Sequence, residues 1–465
     1  MILLIQPPTR EQGKLIYPPL GLLAVAALPA SKGIPIRILD GNVLSMPTIK
    51  QIIRESNPRI VGVTSFTGPN LHPAIELSKY ARQHTRAKIV WGGVHASILP
   101  EQTLGNDCID MVVQYEGDLT FMELIENLDS PEGIAGLWYK VDGEIRSNPR
   151  RPLIPDLAAL PPFPWHLVDV EKYVMPWAGA KRTLPVISSR GCPYRCTFCY
   201  NLVFNDQSWR PFPHERVTAE IDMLADKYRL DGIRLDASDL FIGPGKKGRK
   251  SALDIVEHAA NRGMTWAAQV RTSQVDDALL GDFKERNCSY IYYGIESGSK
   301  RILKDIYKDM RVDNIRAVLH RTNELGIKSA AGVMYDFPGE TLEDFRETVN
   351  LFKETSILIR MSALQPYPGT PVYEFVKQNN LLDFPPDTLG WATYDYYHPH
   401  GLSQIPNVKK NARIYNLKYN YLHNMAVTAK RRDWEFAKTM AGSFFDFYIQ
   451  QQKAFFGGRS FELNY

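Results

Sequence analysis

Apolar and polar positions along this chain follow two alternating rhythms. Short apolar runs at residues 2–5, 34–39, 60–64, 88–91 and 111–113 are separated by stretches with apolar residues at helical spacing, at 20–30, 73–84 and 119–128. Strand and helix patterns alternating at this length predict an α/β domain, a doubly wound Rossmann-like parallel sheet over residues 1–135. The rhythm resumes later, with apolar runs at 184–189, 232–236, 265–270, 290–295, 328–335 and 357–364. Helical patterns at 215–228, 251–261, 314–325 and 342–352 fill the gaps. Six strand–helix units are too few for a closed eight-fold barrel.

Between these halves lies a linker, residues 136–182. Pro152, Pro155, Pro161, Pro162, Pro164 and Pro176 mark an extended crossing, and residues 136–145 read as a hairpin over Asp142-Gly143. Residues 376–465 form a mainly helical, aromatic-rich C-terminal region, with Trp391, Tyr394, Tyr396, Tyr397, Tyr415, Tyr419, Tyr421 and the run Phe444–Tyr448. Residues 409–440 read as helix with basic runs. These helices either cap the second half or supply aromatic walls to a substrate pocket.

Doubly wound sheets bind ligands beyond the carboxyl ends of their strands. In the first domain those ends carry Thr64, Ser65, Phe66, Gly68 and Asn70, then Gly92, Gly93 and His95, then Glu116 and Gly117. Glycines there permit positive φ and let backbone approach a large flat ligand or its phosphate tail.

At 465 residues the chain exceeds one ordinary core. Hydrophobic residues at 44% and charged residues at 23% describe a globular protein. The formal net charge of +4 is small for this size and argues against nucleic acid as an obligate partner. No apolar run reaches membrane-span length and the N-terminus lacks a basic leader, which points to the cytoplasm.

Cysteine changes the picture most. Of five cysteines, Cys192, Cys196 and Cys199 fall within eight residues, spaced C-x3-C-x2-C, beside Gly191 and Pro193. Thiolates in one short loop can close on three irons of a cubane cluster. The spacing is wrong for structural zinc. A fourth cysteine is not near, so one iron keeps an open position.

This motif, with Phe198 in its aromatic slot, resembles the signature of radical S-adenosylmethionine (SAM) enzymes. The resemblance implies a [4Fe-4S] cluster on Cys192, Cys196 and Cys199, with SAM bound to the open iron and cleaved to a 5′-deoxyadenosyl radical. It also implies a partial (β/α)6 barrel over residues 183–375. By the same resemblance the strand ends supply Asp236, Arg271 for the SAM carboxylate and Glu296 for ribose hydroxyls or the ammonium. Further SAM-pocket elements follow at Gly339 and Pro368. The segments from Asp40, Gly62, Gly92 and Asp110 look like the cobalamin-binding domain found ahead of many radical SAM modules. Asn42 stands where the cobalt-ligating histidine of D-x-H-x-x-G would be, which implies cobalamin bound in a histidine-off form. His72 and His95 lie near the expected ligand edge and read as loop or tail contacts.

What these resemblances imply is a cobalamin-dependent radical SAM methyltransferase acting on an unactivated carbon of a small molecule. An external electron donor such as flavodoxin or ferredoxin would serve it. A cobalamin-bound cyclase or rearrangement catalyst is the alternative, and a non-catalytic corrinoid carrier a third. A methylthio-transferring enzyme would carry further cysteines in the first domain, where only Cys108 occurs.

Overall fold

A computed structural model describes residues 1–9, 16–236, 240–394 and 398–431. Asp239, Tyr396, Tyr397 and the aromatic run at 444–448 lie outside the described residues.

The first sheet holds β1 (Ile2–Gln6), β2 (Ile36–Asp40), β3 (Ile60–Thr64), β4 (Lys88–Gly92), β5 (Met111–Val113), β6 (Leu137–Val141) and β7 (Glu144–Ser147). Its order is β2-β1-β3-β4-β5-β6-β7. The first five strands run parallel, as the alternating pattern predicts. Strands buried on both faces need helices on both, and the helices Leu20–Ser31 and Gly117–Glu126 cover one face while Met46–Ser56 and Leu71–His84 cover the other.

The hairpin departs from the linker expectation. Asp142 and Gly143 both take positive φ, 51° and 83°, as a two-residue hairpin turn requires. Yet β6 pairs antiparallel with β5, so the sheet continues to Ser147. The proline-rich stretch is also packed: Leu157, Phe163, Trp165 and Tyr173 are buried in the main core around three short 3-10 turns.

The second half holds β8 (Met175–Trp177), β9 (Ala180–Pro185), a ribbon of β10 (Ser189–Gly191) with β11 (Trp209–Pro211), then β12 (Gly232–Leu235), β13 (Thr265–Val270), β14 (Cys288–Glu296), β15 (Lys328–Tyr335) and β16 (Leu358–Ala363). Six of these strands, β9 and β12 to β16, form a parallel partial barrel with β8 antiparallel at one edge. The run at 184–189, expected as one strand, is divided. The first strand of the barrel ends at Pro185, which has no N–H for a ladder, and Ser189 leaves to pair with β11.

The other barrel edge, β16, is closed by side chains. Asn420 accepts from Met361 N (2.6 Å) and donates to Met361 O (2.9 Å). Asn424 repeats this on Ile359, at 2.8 and 2.7 Å. Four residues apart on a helix, the two amides meet strand residues two apart. They stand in for the next strand, and the C-terminal region caps the barrel edge through them.

One hydrophobic cluster runs from Ile2 and Leu4 through Leu184 and Trp266 to Tyr419. Both sheets share it.

Candidate active site

At the carboxyl end of the first sheet a cavity of about 280 Å³ opens between the strands and the helices Leu20–Ser31 and Gly117–Glu126. Its walls are apolar: Leu4, Val25, Val90, Val113 and Phe121. Gly62 and Gly92 keep the sheet side open, and a Cβ on Gly62 would stand 2.6 Å from Leu4 Cδ2. Gly93 turns the chain at φ 87°, where a Cβ would strike Ser65 O at 2.6 Å.

Of the first-domain candidates, Thr64, Phe66, Gly92, Gly93, Glu116 and Gly117 line this cavity. Ser65, Gly68, Asn70 and His95 do not. Ser65 is buried, its hydroxyl donating to Gly92 O (2.9 Å) and accepting from Ala96 N (3.2 Å). Gly68 lies against Tyr394 O of the C-terminal region. Asn70 and His95 are buried, and His95 Nδ1 meets Thr67 Oγ1 at 3.0 Å. Burial depresses the His95 imidazole to about 3, so it is neutral. Asn42 is committed to Thr9 N (2.9 Å) and to Asp40 Oδ1, which accepts from its Nδ2 at 3.0 Å.

Glu116 reaches the cavity wall, but its carboxylate is spoken for. Arg210 clasps it from two nitrogens (2.6 and 2.9 Å), and Ile154 N donates at 3.0 Å. Beside it Arg190 binds Asp118. Sequence reasoning placed Asp118 in the loop after β5 at the ligand edge but missed Arg190 and Arg210, and also Tyr115, Tyr200, Phe204 and Asn205, which line the cavity. The signal available was two acids in one loop and an arginine two residues before Cys192.

The second half brings residues flanking its cysteine loop, Arg190, Tyr200, Phe204 and Asn205, to the same cavity. Gly191, at φ 81°, could carry no side chain, since a Cβ would lie 2.2 Å from Ser208 O. The loop is pinned beyond it: Thr197 N donates to Ile306 O (3.0 Å) and Val372 N to Thr197 O (3.1 Å). Cys196 is buried; Cys192 and Cys199 are partly exposed. Burial, aided by the neighbouring Cys196 and Cys192, pushes the Cys199 thiol up to about 12. Among the described residues no three His, Cys, Asp or Glu side chains converge tightly enough for one metal ion. A cubane takes each thiolate on a different iron and needs no such convergence.

Arg271 is buried with its guanidinium over the Tyr194 ring (3.7 Å), one nitrogen 3.4 Å from Cys196 Sγ and another donating to Lys308 O. It faces a cysteine of the loop, and its buried Nε has no hydrogen bond among the described residues. Glu296, at φ 72°, pairs with Lys308 Nζ (2.8 Å). Phe198 packs edge-on to Phe337. Asp236 accepts the Tyr17 hydroxyl at 2.6 Å, and its buried Oδ1 has no hydrogen bond among the described residues. Gly339 turns at φ 73° and donates to Leu402 O (3.3 Å). Pro368 is buried next to Gly369, whose Cβ would touch Val203 and Ile98, where the two halves meet.

An open barrel with a three-cysteine loop, docked to a doubly wound domain with an apolar cavity, defines a two-cofactor radical enzyme. Residues 186–352 match the radical SAM superfamily and residues 10–125 the B12 binding domain. An uncharacterized methyltransferase of Pyrococcus horikoshii is 32% identical over 412 residues, covering 86% of this chain and 87% of its own. An anaerobic magnesium-protoporphyrin IX monomethyl ester cyclase of Rubrivivax gelatinosus is 24% identical, covering 72% of this chain and 61% of its own. The structure of the radical SAM methyltransferase TsrM from Kitasatospora setae, solved with cobalamin and a [4Fe-4S] cluster, shares the fold. Its TM-score is 0.68 at 18% identity, covering 83% of this chain and 76% of TsrM. The chain belongs to the radical SAM superfamily, in the group with an N-terminal B12-binding domain.

The residues fit both cofactors. Three thiols on a glycine-turned loop, two of them reachable from solvent, suit a cluster with one open iron. An apolar cavity whose sheet wall is cleared by Gly62 and Gly92 suits the flat base of a corrinoid tail.

Proposed function

We propose that this chain is a cobalamin-dependent methyltransferase that methylates an unactivated carbon of a small-molecule substrate. The observation that carries the reading is the composition of the cavity wall. Arg190, Tyr200, Phe204 and Asn205, which flank the cysteine loop, line the same space as Thr64, Gly92 and Gly93. A corrinoid in that space and a cluster on that loop would therefore face one substrate.

When bound, the cluster supplies the electron that cleaves SAM, and the corrinoid supplies a methyl carrier able to meet a carbon radical. The chain's residues do the rest. Cys192, Cys196 and Cys199 hold the cluster, and Arg271 sets a positive charge beside the Cys196 sulfur. Glu296, oriented by Lys308, accepts from the hydroxyl or ammonium groups of SAM. The apolar walls exclude water from a radical. An external one-electron donor recharges the cluster.

The corrinoid is held histidine-off. Asn42 occupies the position of the usual ligand, and among the described residues no histidine lines the cavity. EPR of the cob(II)alamin form tests this: nitrogen superhyperfine splitting that disappears in a His72 or His95 variant would refute it.

The experiment for the reaction uses SAM carrying a CD3 group. Methylation consumes two SAM molecules, so S-adenosylhomocysteine and 5′-deoxyadenosine accumulate equally and product carries CD3. A cyclase makes deoxyadenosine without matching S-adenosylhomocysteine and leaves product unlabelled.

A further inference from the structure

The two faces of the second sheet differ in character. On one, Ile291 and Tyr293 of β14, Ala331 and Val333 of β15, and Ile359 and Met361 of β16 are buried in the main core. The residues that alternate with them point the other way. There Gln269 and Arg360 are exposed, and Tyr290, Tyr292, Gly332 and Met334 are half-buried. This second face is the inside of the barrel, and water reaches it.

One contact shows how far the sheet curls. β8 and β14 stand four positions apart in the strand order, about 19 Å in a flat sheet. Yet the rings of Trp177 and Tyr290 meet edge-on at 5.7 Å. They touch across a hollow and close its lower end, where Leu358 and Val427 also pack in a cluster with Tyr290 and Tyr292. At the upper end Met334 belongs to the cluster that takes in Phe198, so the hollow leads toward the cysteine loop.

The chemistry inside suits an anion. Arg360 is in register with Gly332, and Gly332 with Gly294, one register step below Glu296. Arg360 thus sits two strands, about 10 Å, to the side of Glu296. Tyr292 leans toward it. A Cβ on Gly332, in the strand between them, would lie 2.7 Å from the Tyr292 hydroxyl, so the glycine clears a path for that hydroxyl over β15. The hydroxyls of Tyr290 and Tyr292 have no hydrogen bond among the described residues. Burial raises both phenols, Tyr292 to about 12 against the opposing pull of Arg360, so both stay proton donors. Arg234 is fully buried with its guanidinium over the Tyr17 ring (4.6 Å), and its Nε and Nη2 have no hydrogen bond among the described residues. Arg234, Arg360 and Asp236 all act on the Tyr17 phenol, so the three charges share one space. Two cations there face one carboxylate, and Glu296 is already paired with Lys308.

We infer that the substrate carries a carboxylate or phosphate group, and that Arg360 and Tyr292 hold it in the barrel hollow below Glu296. This rests on the reading that SAM is bound at Glu296 beside the cysteine loop. Guanidinium and phenol donate to oxygens of the anion, and the tyrosine rings flank the body that bears it. With that end fixed, the carbon that meets the radical is chosen by its distance from the anion.

The test is calorimetric binding to the reconstituted full chain of three probes: benzoate, phenyl phosphate and the neutral benzamide. At least one anion should bind about 10-fold tighter than benzamide, and which one does so identifies the group. Arg360→Met should abolish the preference, Arg360→Lys should keep most of it, and Tyr292→Phe should lower it a few-fold. Iron content and cobalamin absorbance should match the wild type in all three variants, which shows them folded and loaded. A wild type that prefers neither anion overturns the proposal. So does a preference that survives Arg360→Met, since the anion then binds elsewhere. A loss of SAM affinity in that variant as large as its loss for the anion also overturns it, because the arginine then serves the SAM carboxylate. These readouts need no turnover. Unlabelled product from SAM carrying CD3 would sink the methyltransferase reading and leave the anion grip standing.

Discussion

Arg190 and Asp118, 72 residues apart, form a two-pronged ion pair in which both guanidinium–carboxylate contacts are 2.9 Å. Arg190 stands two residues before Cys192, and Asp118 lies in the first turn of a helix that walls the apolar cavity. With the Arg210–Glu116 pair alongside, this clamp ties the cluster loop to the cavity loop. Both side chains are largely buried, at 15% and 4% exposure. Removing Arg190 leaves the buried Asp118 without its partner, and removing Asp118 leaves Arg190 only the longer contact to Glu116 (3.6 Å). Asp118→Leu or Arg190→Met should each cost about 3–5 kcal/mol of stability, while the double variant costs less than either. Denaturant unfolding of the three proteins checks this. Additive losses would mean that the pair is not a coupled unit.

Replacing Cys192, Cys196 or Cys199 by alanine should remove the brown cluster absorbance and reductive SAM cleavage together. Cys108 and Cys288 are buried, and burial raises both thiols above their ordinary range, which keeps them inert. Their alanine variants should keep cluster and cleavage. A cluster that survived the Cys196 change would show the ligand set to be wrong.

Val25 faces the apolar cavity from the helix Leu20–Ser31. Val25→Phe adds bulk where the corrinoid tail would enter. Bound cobalamin, read from visible absorbance, should fall at least about 10-fold in affinity, a loss of roughly 1.4 kcal/mol. Iron content and dithionite-driven SAM cleavage should not move. Unchanged cobalamin binding would place the tail elsewhere.

Glu340 is buried at the turn after β15, where its carboxyl accepts from Phe337 N (3.1 Å). Burial, reinforced by Asp336 and Asp344, pushes it up to about 8 from 4.5. The folded protein thus keeps a proton that the unfolded chain releases. The stability this group contributes is full below pH about 4.5 and is lost as pH rises through about 8. Glu340→Gln removes the titration. Between those limits the unfolding free energy of the wild type should fall relative to the variant by about 1.4 kcal/mol per pH unit. Parallel pH profiles would mean the carboxyl is ionised in the fold.

The strands and the cysteine loop were legible because their signals are local. Short apolar runs between helical patterns mark β1, β3 and β4, and Asp142-Gly143 announces its own turn. The hairpin's partner was not legible, since pairing with β5 is a choice made across the chain. The same limit explains Ser65, Gly68, Asn70 and His95. A loop at a strand end offers side chains to both faces of a sheet, and only tertiary contacts, such as Gly68 against Tyr394 O and His95 against Thr67, show which face these took. The clamp was hidden for a further reason. Arg190 with Asp118 and Arg210 with Glu116 are pairings over 72 and 94 residues, and nothing near either partner names the other.

The paired amides of Asn420 and Asn424 bear on how this protein can be handled. A partial barrel has an unpaired strand at its end, and a bare strand recruits another copy of itself. Here the recruiting groups of Ile359 and Met361 are already satisfied by side chains from beyond the catalytic domain. A fragment trimmed after the helix Pro371–Gln378, which follows β16, would keep the three cysteines, Arg271 and Glu296 and still present an open adhesive edge. Insolubility of that fragment would report a missing lid on β16, not a failure of the barrel to form.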